Sequence, residues 1–400
     1  MTEPAPAPAD RHASWLELFF DLVVVVAVNQ LAHQLHGGAH HGPDGLHVVT
    51  FFTLYLTIWL VWTTFTLYSN VVAEKVHLRA MFFGMAGIAT MAATVPHSWD
   101  GRADLFAAAY LITNGIGSGT LSRTGQVLLS WTAASRNAGL VPWIVSFWVD
   151  GTWWKLGLWL SGLALTLAFS VFGSRADQDE LLARLNERMP ERTPRGGPGR
   201  RRERPRQSFV AAQVDAGHLG ERLGLFVIIV LGEAMLQLVG AVADIEDWRP
   251  GGGEGWLLLL TVVSAFGLLV ALWGLNTSYG FAEESRFPPA LVLPAHFVAI
   301  ASITTVAAGL GSAAAGVADH LAVSTTWLMC GGAAAFLLVV NLLVAHTRRW
   351  PLRAAAVALP LVAAVVAPWL PAAVVVAALA VAASGLLWLL RASRRIPSGT

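Results

Sequence analysis

Apolar stretches of about 20 residues recur along almost the whole 400-residue chain, separated by shorter polar segments. A helix of roughly 20 apolar residues is long enough to cross the hydrocarbon core of a bilayer. Arg136 and Asn137 interrupt the fifth stretch, and Pro368 and Pro371 divide the last two, so a count of 12 could fall to 11 or 10. The predicted membrane helices cover residues 15–36, 47–69, 78–95, 103–122, 126–148, 153–173, 219–241, 256–279, 290–311, 322–346, 353–369 and 371–391.

Composition favours a membrane protein over a water-soluble one. Charged residues make up only 13% of the chain, whereas about 25% of the residues in a soluble domain are charged. The sequence therefore predicts an all-α, polytopic membrane helix bundle whose main partner is the lipid bilayer. The formal net charge of +1 gives no reason to expect a nucleic-acid partner.

Basic residues set the predicted orientation, because cytoplasmic loops are enriched in Lys and Arg. With the amino terminus inside, the inner segments carry most of the loop cations, among them Lys75, Arg79 and Arg286, and both termini are cytoplasmic. The long segment 174–217 is then also inside. Its part rich in Pro, Gly and Arg, residues 190–206, is predicted to be disordered and to contact anionic lipid headgroups.

A weak internal repeat flanks this long segment. The stretch ELFFDLVVVVAVNQ from Glu17 aligns without gaps with ERLGLFVIIVLGEA from Glu221, which pairs Asn29 with Glu233. Chance similarity of two amphiphilic helices is the alternative to duplication. We predict two parallel six-helix repeats, a layout that places the pathway between the halves in many transporters. The predicted segments are a polar tail (1–14), the first repeat (15–173), the basic loop (174–217), the second repeat (218–391) and a tail (392–400).

Two carboxylates near the start of the first helix are candidate functional residues, because ionisable groups in membrane helices are costly. Glu17 and Asp21 are four residues apart and therefore lie on one helical face. Two like charges there require a nearby cation. The arginines at the same predicted membrane face are Arg11, Arg79, Arg123 and Arg222. The pair is either a structural ion-pair girdle or an uptake site for an ion or a proton.

Glu233 is the sharpest functional candidate in the chain. The seventh predicted helix begins with His218, Glu221 and Arg222 and reaches Glu233 about 20 Å from the inner face, near mid-membrane. A carboxyl group at that depth would suit proton carriage. The structural alternative is a neutral Glu that is hydrogen-bonded to a neighbouring helix. Asn29 is the expected counterpart of Glu233 across the pseudo-twofold axis.

The sequence points to no cofactor and no metal site. It contains no HExxH, GxSxG, Walker or CxxC motif. The polar residues of the first outer loop fit no known metal-ligand spacing; they are His40, His41, Asp44 and His47. Nothing in the chain therefore selects an enzymatic reaction.

Two segments resemble the signatures of the bacterial low temperature requirement protein A family. They are SWLELFFDLVVVVAVNQLAHQL at 14–35 and HLGERLGLFVIIVLGEAML at 218–236, and Arg79 with the Ala109–Tyr110 pair fits the same pattern. The departures from that pattern are Val24, Asn114, Leu223 and Ala234. The resemblance implies a multi-pass protein of the bacterial inner (plasma) membrane with a link to growth in the cold, but no settled activity. Residues 19–21, Phe-Phe-Asp, are also similar to the Phe-Ser-Asp motif of lysosomal-type potassium channels.

The leading functional hypothesis is a transporter or channel for a small solute or ion, with proton coupling as one option. The first and seventh helices would line the path, with Asn29 and Glu233 near its middle. Its cytoplasmic mouth would carry Glu17, Asp21, His218, Glu221 and Arg222. The alternatives are a membrane-embedded enzyme that acts on a lipid and a non-transporting membrane protein related to cold or stress.

Overall fold

The computed structural model is a bundle of α-helices. It describes residues 12–35, 41–72, 76–123, 126–127, 133–173, 210–211, 214–245, 252–281, 289–344 and 349–394. The basic segment 190–206 and most of both predicted tails lie outside these ranges. The helices are α1 Trp15–Gln34, α2 Gly45–Val72, α3 Leu78–Thr94, α4 Ala103–Arg123, α5 Ala133–Val145, α6 Thr152–Gly173, α7 Ala216–Ala243, α8 Gly253–Tyr279, α9 Pro289–Ala315, α10 Val323–Leu343, α11 Trp350–Val366 and α12 Ala372–Arg394.

Nine helical segments within the described ranges are long and apolar enough to cross a membrane. One of them, Leu78–Thr120, contains α3 and most of α4, which follow each other through short 3-10 and π turns. The turn between them includes Gly101, whose φ of 92° lies in the left-handed region that favours glycine. The protein is therefore a polytopic membrane helix bundle.

Helix α1 illustrates how the bundle distributes apolar side chains between protein and lipid. Phe20 and Val24 are buried, whereas Phe19, Leu22 and Val26 are about half exposed. Both faces are apolar because the exposed face meets acyl chains rather than water. The polar exceptions on α1 are therefore more informative than its apolar face.

The two halves of the chain meet through four helices. Helices α1 and α2 of the first half pack against α7 and α9 of the second. Helix α2 is largely buried and carries a row of large side chains into this interface, including Tyr55, Trp59 and Trp62. The first turns of α1 and α7 lie side by side, which brings the two sequence signatures together.

The fifth predicted helix differs from the structure. Instead of one span at 126–148, a two-residue strand, β1 (Gln126–Val127), pairs in parallel with β2 (Val210–Ala211), and α5 covers only Ala133–Val145. At about 1.5 Å per residue, a 13-residue helix is roughly 20 Å long. Pro142 lies inside α5, and a short 3-10 turn, Ser146–Trp148, continues it. Within the described residues, α5 is therefore shorter than a full span.

Candidate functional site

The start of α1 fixes the first candidate carboxylate, Glu17. Ser14 is the N-cap residue, and its hydroxyl accepts a hydrogen bond from the Glu17 backbone N–H at 3.3 Å. The Glu17 carboxylate in turn accepts from the Ser14 N–H at 2.9 Å and the Ser14 hydroxyl at 2.8 Å. This reciprocal capping box satisfies donors of the first helical turn and orients the Glu17 side chain.

Arg222 on α7 links both acids of α1. Its Nη2 lies 2.6 Å from Asp21 Oδ1, and its Nη1 lies 3.7 Å from Glu17 Oε1. His218, one helical turn before Arg222, donates through Nε2 to Glu17 Oε2 at 3.3 Å. The exposed fraction of these four side chains is at most 2%. We call Glu17, Asp21, His218 and Arg222 the ion cluster.

Helix α2 supplies the neutral donors and acceptors around the ion cluster. The Trp62 indole N–H donates to Asp21 Oδ1 at 2.7 Å, and Arg222 Nη1 donates to the Ser69 hydroxyl at 2.9 Å. The Arg222 guanidinium carbon also lies 6.0 Å from the centroid of the Trp62 ring. Charged groups buried in this way persist only when they are paired and hydrogen-bonded.

Asn70 at the end of α2 fixes the hydrogen-bonding role of His218. Its Oδ1 accepts from the Asp215 backbone N–H and its Nδ2 donates to the Asp215 carbonyl, both at 2.9 Å. The same Nδ2 faces His218 Nδ1 at 3.2 Å. Since an amide nitrogen can only donate, His218 Nδ1 accepts and its Nε2 carries the proton that points to Glu17.

Asp21 Oδ2 and Arg222 Nε have no hydrogen-bond partner among the residues that the structure describes, and both side chains are fully buried. The hydroxyl of Thr66, which is also fully buried, has no partner in the same ranges. Thr66 follows Trp62 by four residues and precedes Ser69 by three, so it lies on the same face of α2.

Glu221 does not join the ion cluster, although the repeat aligns it with Glu17. Its carboxylate is partly exposed and accepts hydrogen bonds from the chain just before α1: His12 Nδ1 at 3.4 Å and the Ala13 N–H at 3.1 Å. Glu221 therefore anchors the segment that enters α1. Of the predicted mouth residues, four come together and Glu221 lies apart from them.

A second polar group connects α1 and α7 farther along both helices. Glu233 Oε1 accepts hydrogen bonds from Asn29 Nδ2 at 2.6 Å and from Gln237 Nε2 at 2.7 Å. The Glu233 side chain is buried. At about 1.5 Å per residue, Glu233 lies roughly 26 Å from the start of α7 and 15 Å from its end. The structure thus joins the two residues that the repeat aligns, somewhat past the middle of the helices.

Apolar packing separates the ion cluster from the Asn29–Glu233 group. Asp21 and Asn29 are about 12 Å apart along α1, and the side chains between them on the packed face include Val24, Val25 and Val28. On α7, Phe226 and Val230 occupy the corresponding interval and are buried. The path between the two polar groups is therefore closed in this conformation.

A polar cavity of about 400 Å³ opens beside the far end of α1. Its lining includes Gln30, the residue after Asn29, and three imidazoles, those of His33, His47 and His97. At its rim, the pKa of Asp44 is lowered because the backbone N–H and the ring of His47 donate to the carboxylate. By the predicted orientation, this cavity faces the outside.

Sequence reasoning missed several residues of these sites. Nothing in the sequence indicated that the Trp62 indole N–H binds Asp21. His296 of α9 stacks on the Trp62 ring at a centroid distance of 5.2 Å and accepts from the Trp59 indole N–H at 3.3 Å. Trp59 and Trp62 are three residues apart and therefore lie on one face of α2. The spacing of the two tryptophans in the sequence could have indicated this shared face.

The described residues contain no group of three or more His, Cys, Asp or Glu side chains arranged to bind a metal ion. The ion cluster has two carboxylates and one imidazole, but Arg222 lies against both acids. What this arrangement can do is hold and exchange protons or pair charges between the halves. It has no opening to lipid or water at the ion cluster, where the four side chains are almost fully buried.

Comparison with known proteins identifies the family. The chain is 26% identical over 251 residues to an uncharacterized protein of Rhizobium meliloti (strain 1021), an alignment that covers 58% of this chain and 54% of that protein, so the chain spans about half the length of this relative. No solved structure matches the chain. Residues 12–389 match the family described as bacterial low temperature requirement A protein (LtrA), and the chain therefore belongs to that family of bacterial membrane proteins.

Proposed function

We propose that the protein moves a small solute or ion across the membrane, coupled to protons, along the contact between α1 and α7. The observation that carries this proposal is the hydrogen bond between Asn29 and Glu233, one from each half of the chain. A buried carboxylate between two membrane helices is costly, and such groups commonly mark ion and proton pathways.

The outer cavity and the two polar groups outline the proposed path. The cavity reaches Gln30, which is at the depth of Asn29 on α1. Beyond it come the Asn29–Glu233 group and, about 12 Å farther along α1, the ion cluster. Because apolar side chains close the interval between the polar groups, transport requires a rearrangement of the halves.

The packing of the helices supports the proposed internal repeat. Each pair of helices that touch in the first half has a counterpart at the same positions in the second half, which has two further pairs, α9–α12 and α10–α12. The pairs are α1–α2, α1–α3, α2–α3, α2–α4, α2–α6, α3–α4, α4–α5 and α5–α6, against α7–α8, α7–α9, α8–α9, α8–α10, α8–α12, α9–α10, α10–α11 and α11–α12. Two halves with similar helix packing and a buried carboxylate at their contact match the layout of transporters built from parallel repeats.

We further propose an orientation with both termini in the cytoplasm and with twelve membrane segments, the shortest of which is α5 with its 3-10 turn. The side-by-side first turns of α1 and α7 support an even number of spans from α1 through α6, because α1 and α7 then both begin at the same face of the membrane. In that orientation the basic segment 190–206 faces the anionic inner leaflet, which would attract it.

The lipid-enzyme alternative receives less support from the geometry. It requires Glu17, Asp21, His218 and Glu221 around a pocket that lipid can reach. The first three are buried together, and Glu221 points to the segment before α1. The alternative of a non-transporting membrane protein related to cold or stress predicts instead that neutralising Glu233 leaves the biological function intact.

The test is flux in proteoliposomes with the Glu233→Gln variant. Purified protein is reconstituted, and uptake of K⁺, Na⁺, protons and a set of small polar metabolites is followed under an imposed pH gradient and an imposed potential. We expect at least one probe to move with wild type and its flux to fall about tenfold or more with Glu233→Gln. The reason is that the amide keeps the hydrogen bonds but cannot ionise.

Glu254→Gln is the matched control, because Glu254 is an exposed carboxylate in the first turn of α8. It should transport as wild type does. If wild type moves none of the probes, or if Glu233→Gln moves them as fast as wild type, the proposed transport function is wrong.

A further inference from the structure

The ion cluster carries more negative than positive charge. Glu17 and Asp21 contribute two carboxylates, and Arg222 contributes one guanidinium. His218 does not balance the excess, since its Nδ1 faces the Asn70 amide nitrogen, which Asp215 locks as a donor. A net negative charge so fully removed from water is costly. One added proton would cancel it.

Glu17 is a poor acceptor for that proton. Its Oε2 already accepts from the Ser14 N–H, the Ser14 hydroxyl and His218 Nε2. It also lies in the first turn of α1, where the helix dipole favours a negative charge. Protonation of Glu17 would weaken its hydrogen bonds in the capping box with Ser14 and the hydrogen bond from His218.

Asp21 differs from Glu17 in each of these respects. Both of its hydrogen bonds, from Trp62 and Arg222, go to Oδ1. Its other oxygen, Oδ2, is buried and has no donor among the described residues. Asp21 lies one turn deeper than Glu17, where the effect of the helix dipole has faded.

We propose that Asp21 Oδ2 is the binding site of the coupled proton and that Arg222 is the charge that this proton releases. The inference rests on the proposed function for its coupling role, but proton binding can be measured without any flux. A proton from the inner aqueous side adds to the free oxygen, Oδ2. The Asp21–Arg222 ion pair becomes a neutral carboxyl group beside a cation.

Release of Arg222 would link proton binding to a movement of the halves. With Asp21 neutral, the Arg222 guanidinium retains two contacts of its Nη1, one with Glu17 Oε1 at 3.7 Å and one with the Ser69 hydroxyl at 2.9 Å. Arg222 belongs to α7 and Asp21 to α1, so the contact between the halves weakens at this pair. The other ionisable groups around Asp21 are Glu17 on α1, His218 on α7 and His296 on α9, the last of which stacks on Trp62.

A metal cation fits the ion cluster less well than a proton does. A cation would need several oxygen ligands, whereas the unpartnered oxygens here are few. Arg222 also lies against both carboxylates and would repel it. A proton needs one lone pair and almost no space.

The test is infrared difference spectroscopy of the full chain between higher and lower pH, with the carboxyl carbon of Asp isotopically labelled. A carboxyl group excluded from water gives a C=O band at higher frequency than a hydrated one. We expect such a band to appear on acidification and to shift with the Asp label. Among the described residues Asp21 is the only Asp that is buried, so the labelled wild type is informative even if a variant fails to fold.

Asp21→Asn should abolish the band. Asp244→Asn, which changes an exposed Asp at the other end of α7, should retain it, as should Glu233→Gln. A band that survives in Asp21→Asn, or that shifts only with labelled Glu, overturns the assignment, as does the lack of any Asp band while the protein stays folded. A band without flux would leave the proton site standing and remove the transport function, whereas flux without a band would do the reverse.

Discussion

Arg222 is the residue on which the contact between the two signature helices depends. It is fully buried, and it binds Asp21, Glu17 and Ser69 from three directions. A buried ion pair gains little over apolar packing, but removal of one member leaves an uncompensated charge. The cost of losing Arg222 should therefore exceed the net contribution of the pair.

The Arg222→Met variant should be destabilised by about 3–5 kcal/mol, since it leaves two buried carboxylates without a cation. Unfolding in mixed detergent micelles, followed by Trp fluorescence, measures the change. Adding Asp21→Asn to Arg222→Met removes one of the stranded charges and should recover part of the stability.

Arg102→Met is the control for this cation. Arg102 is exposed and donates to the Ala93 carbonyl, so its loss should change stability by at most about 0.5 kcal/mol. An Arg222→Met protein as stable as Arg102→Met would mean that the two carboxylates are not ionised together.

The sequence predicted part of this site for a clear physical reason. Charges are rare in membrane helices, so Glu17, Asp21, Arg222 and Glu233 stood out, and helical spacing put the first two on one face. It could not predict which of several arginines binds the acids, because that depends on how α1 and α7 pack. Nor could the sequence show that Glu221 lies outside the ion cluster, because the repeat aligns Glu221 with Glu17.

At the scale of the helix, close packing depends on glycine at the α5–α6 contact. A Cβ on Gly162 would lie 2.6 Å from the Gly139 carbonyl oxygen and 2.7 Å from Trp143 Cδ1. The obstructing carbonyl belongs to the backbone and cannot move aside as a side chain would. The two helices therefore approach each other through paired glycines, as membrane helices often do.

Gly162→Ala should lower stability by about 1–3 kcal/mol, because the added methyl group forces α5 and α6 apart. Gly157 is the matched control on the same helix, since a Cβ there would meet nothing within 4 Å. Gly157→Ala should be neutral or slightly stabilising, since alanine favours a helix over glycine. The same detergent unfolding assay compares them, and equal stability of the two variants would contradict the close approach.

Helix boundaries were predictable where apolar runs end at polar residues or glycine, as at α2 and α8. The boundaries of the fifth helix were not, because hydropathy cannot show that the chain forms a strand pair at Gln126–Val127. Strand pairing with Val210–Ala211 joins segments 84 residues apart in sequence, and no local sequence pattern predicts this pairing.

At the scale of the whole molecule, the orientation in the membrane is open to a direct chemical test. The only cysteine, Cys330, is buried, so Cys330→Ala provides a background for single new cysteines. Glu254 is exposed at the start of α8, and Arg79 is exposed at the start of α3. If α1 and α7 both begin at the cytoplasmic face, α8 begins outside and α3 begins inside.

In intact cells, a membrane-impermeant maleimide should therefore label Glu254→Cys and should label Arg79→Cys only after the membrane is opened. The expectation combines the positive-inside bias of the loops with the adjacent first turns of α1 and α7. The reverse labelling pattern would mean that the protein has the opposite orientation in the membrane and that the imidazole-lined cavity faces the cytoplasm. Labelling of both positions in intact cells would show an even number of crossings between them, and the proposed parallel repeat would then fail with the orientation.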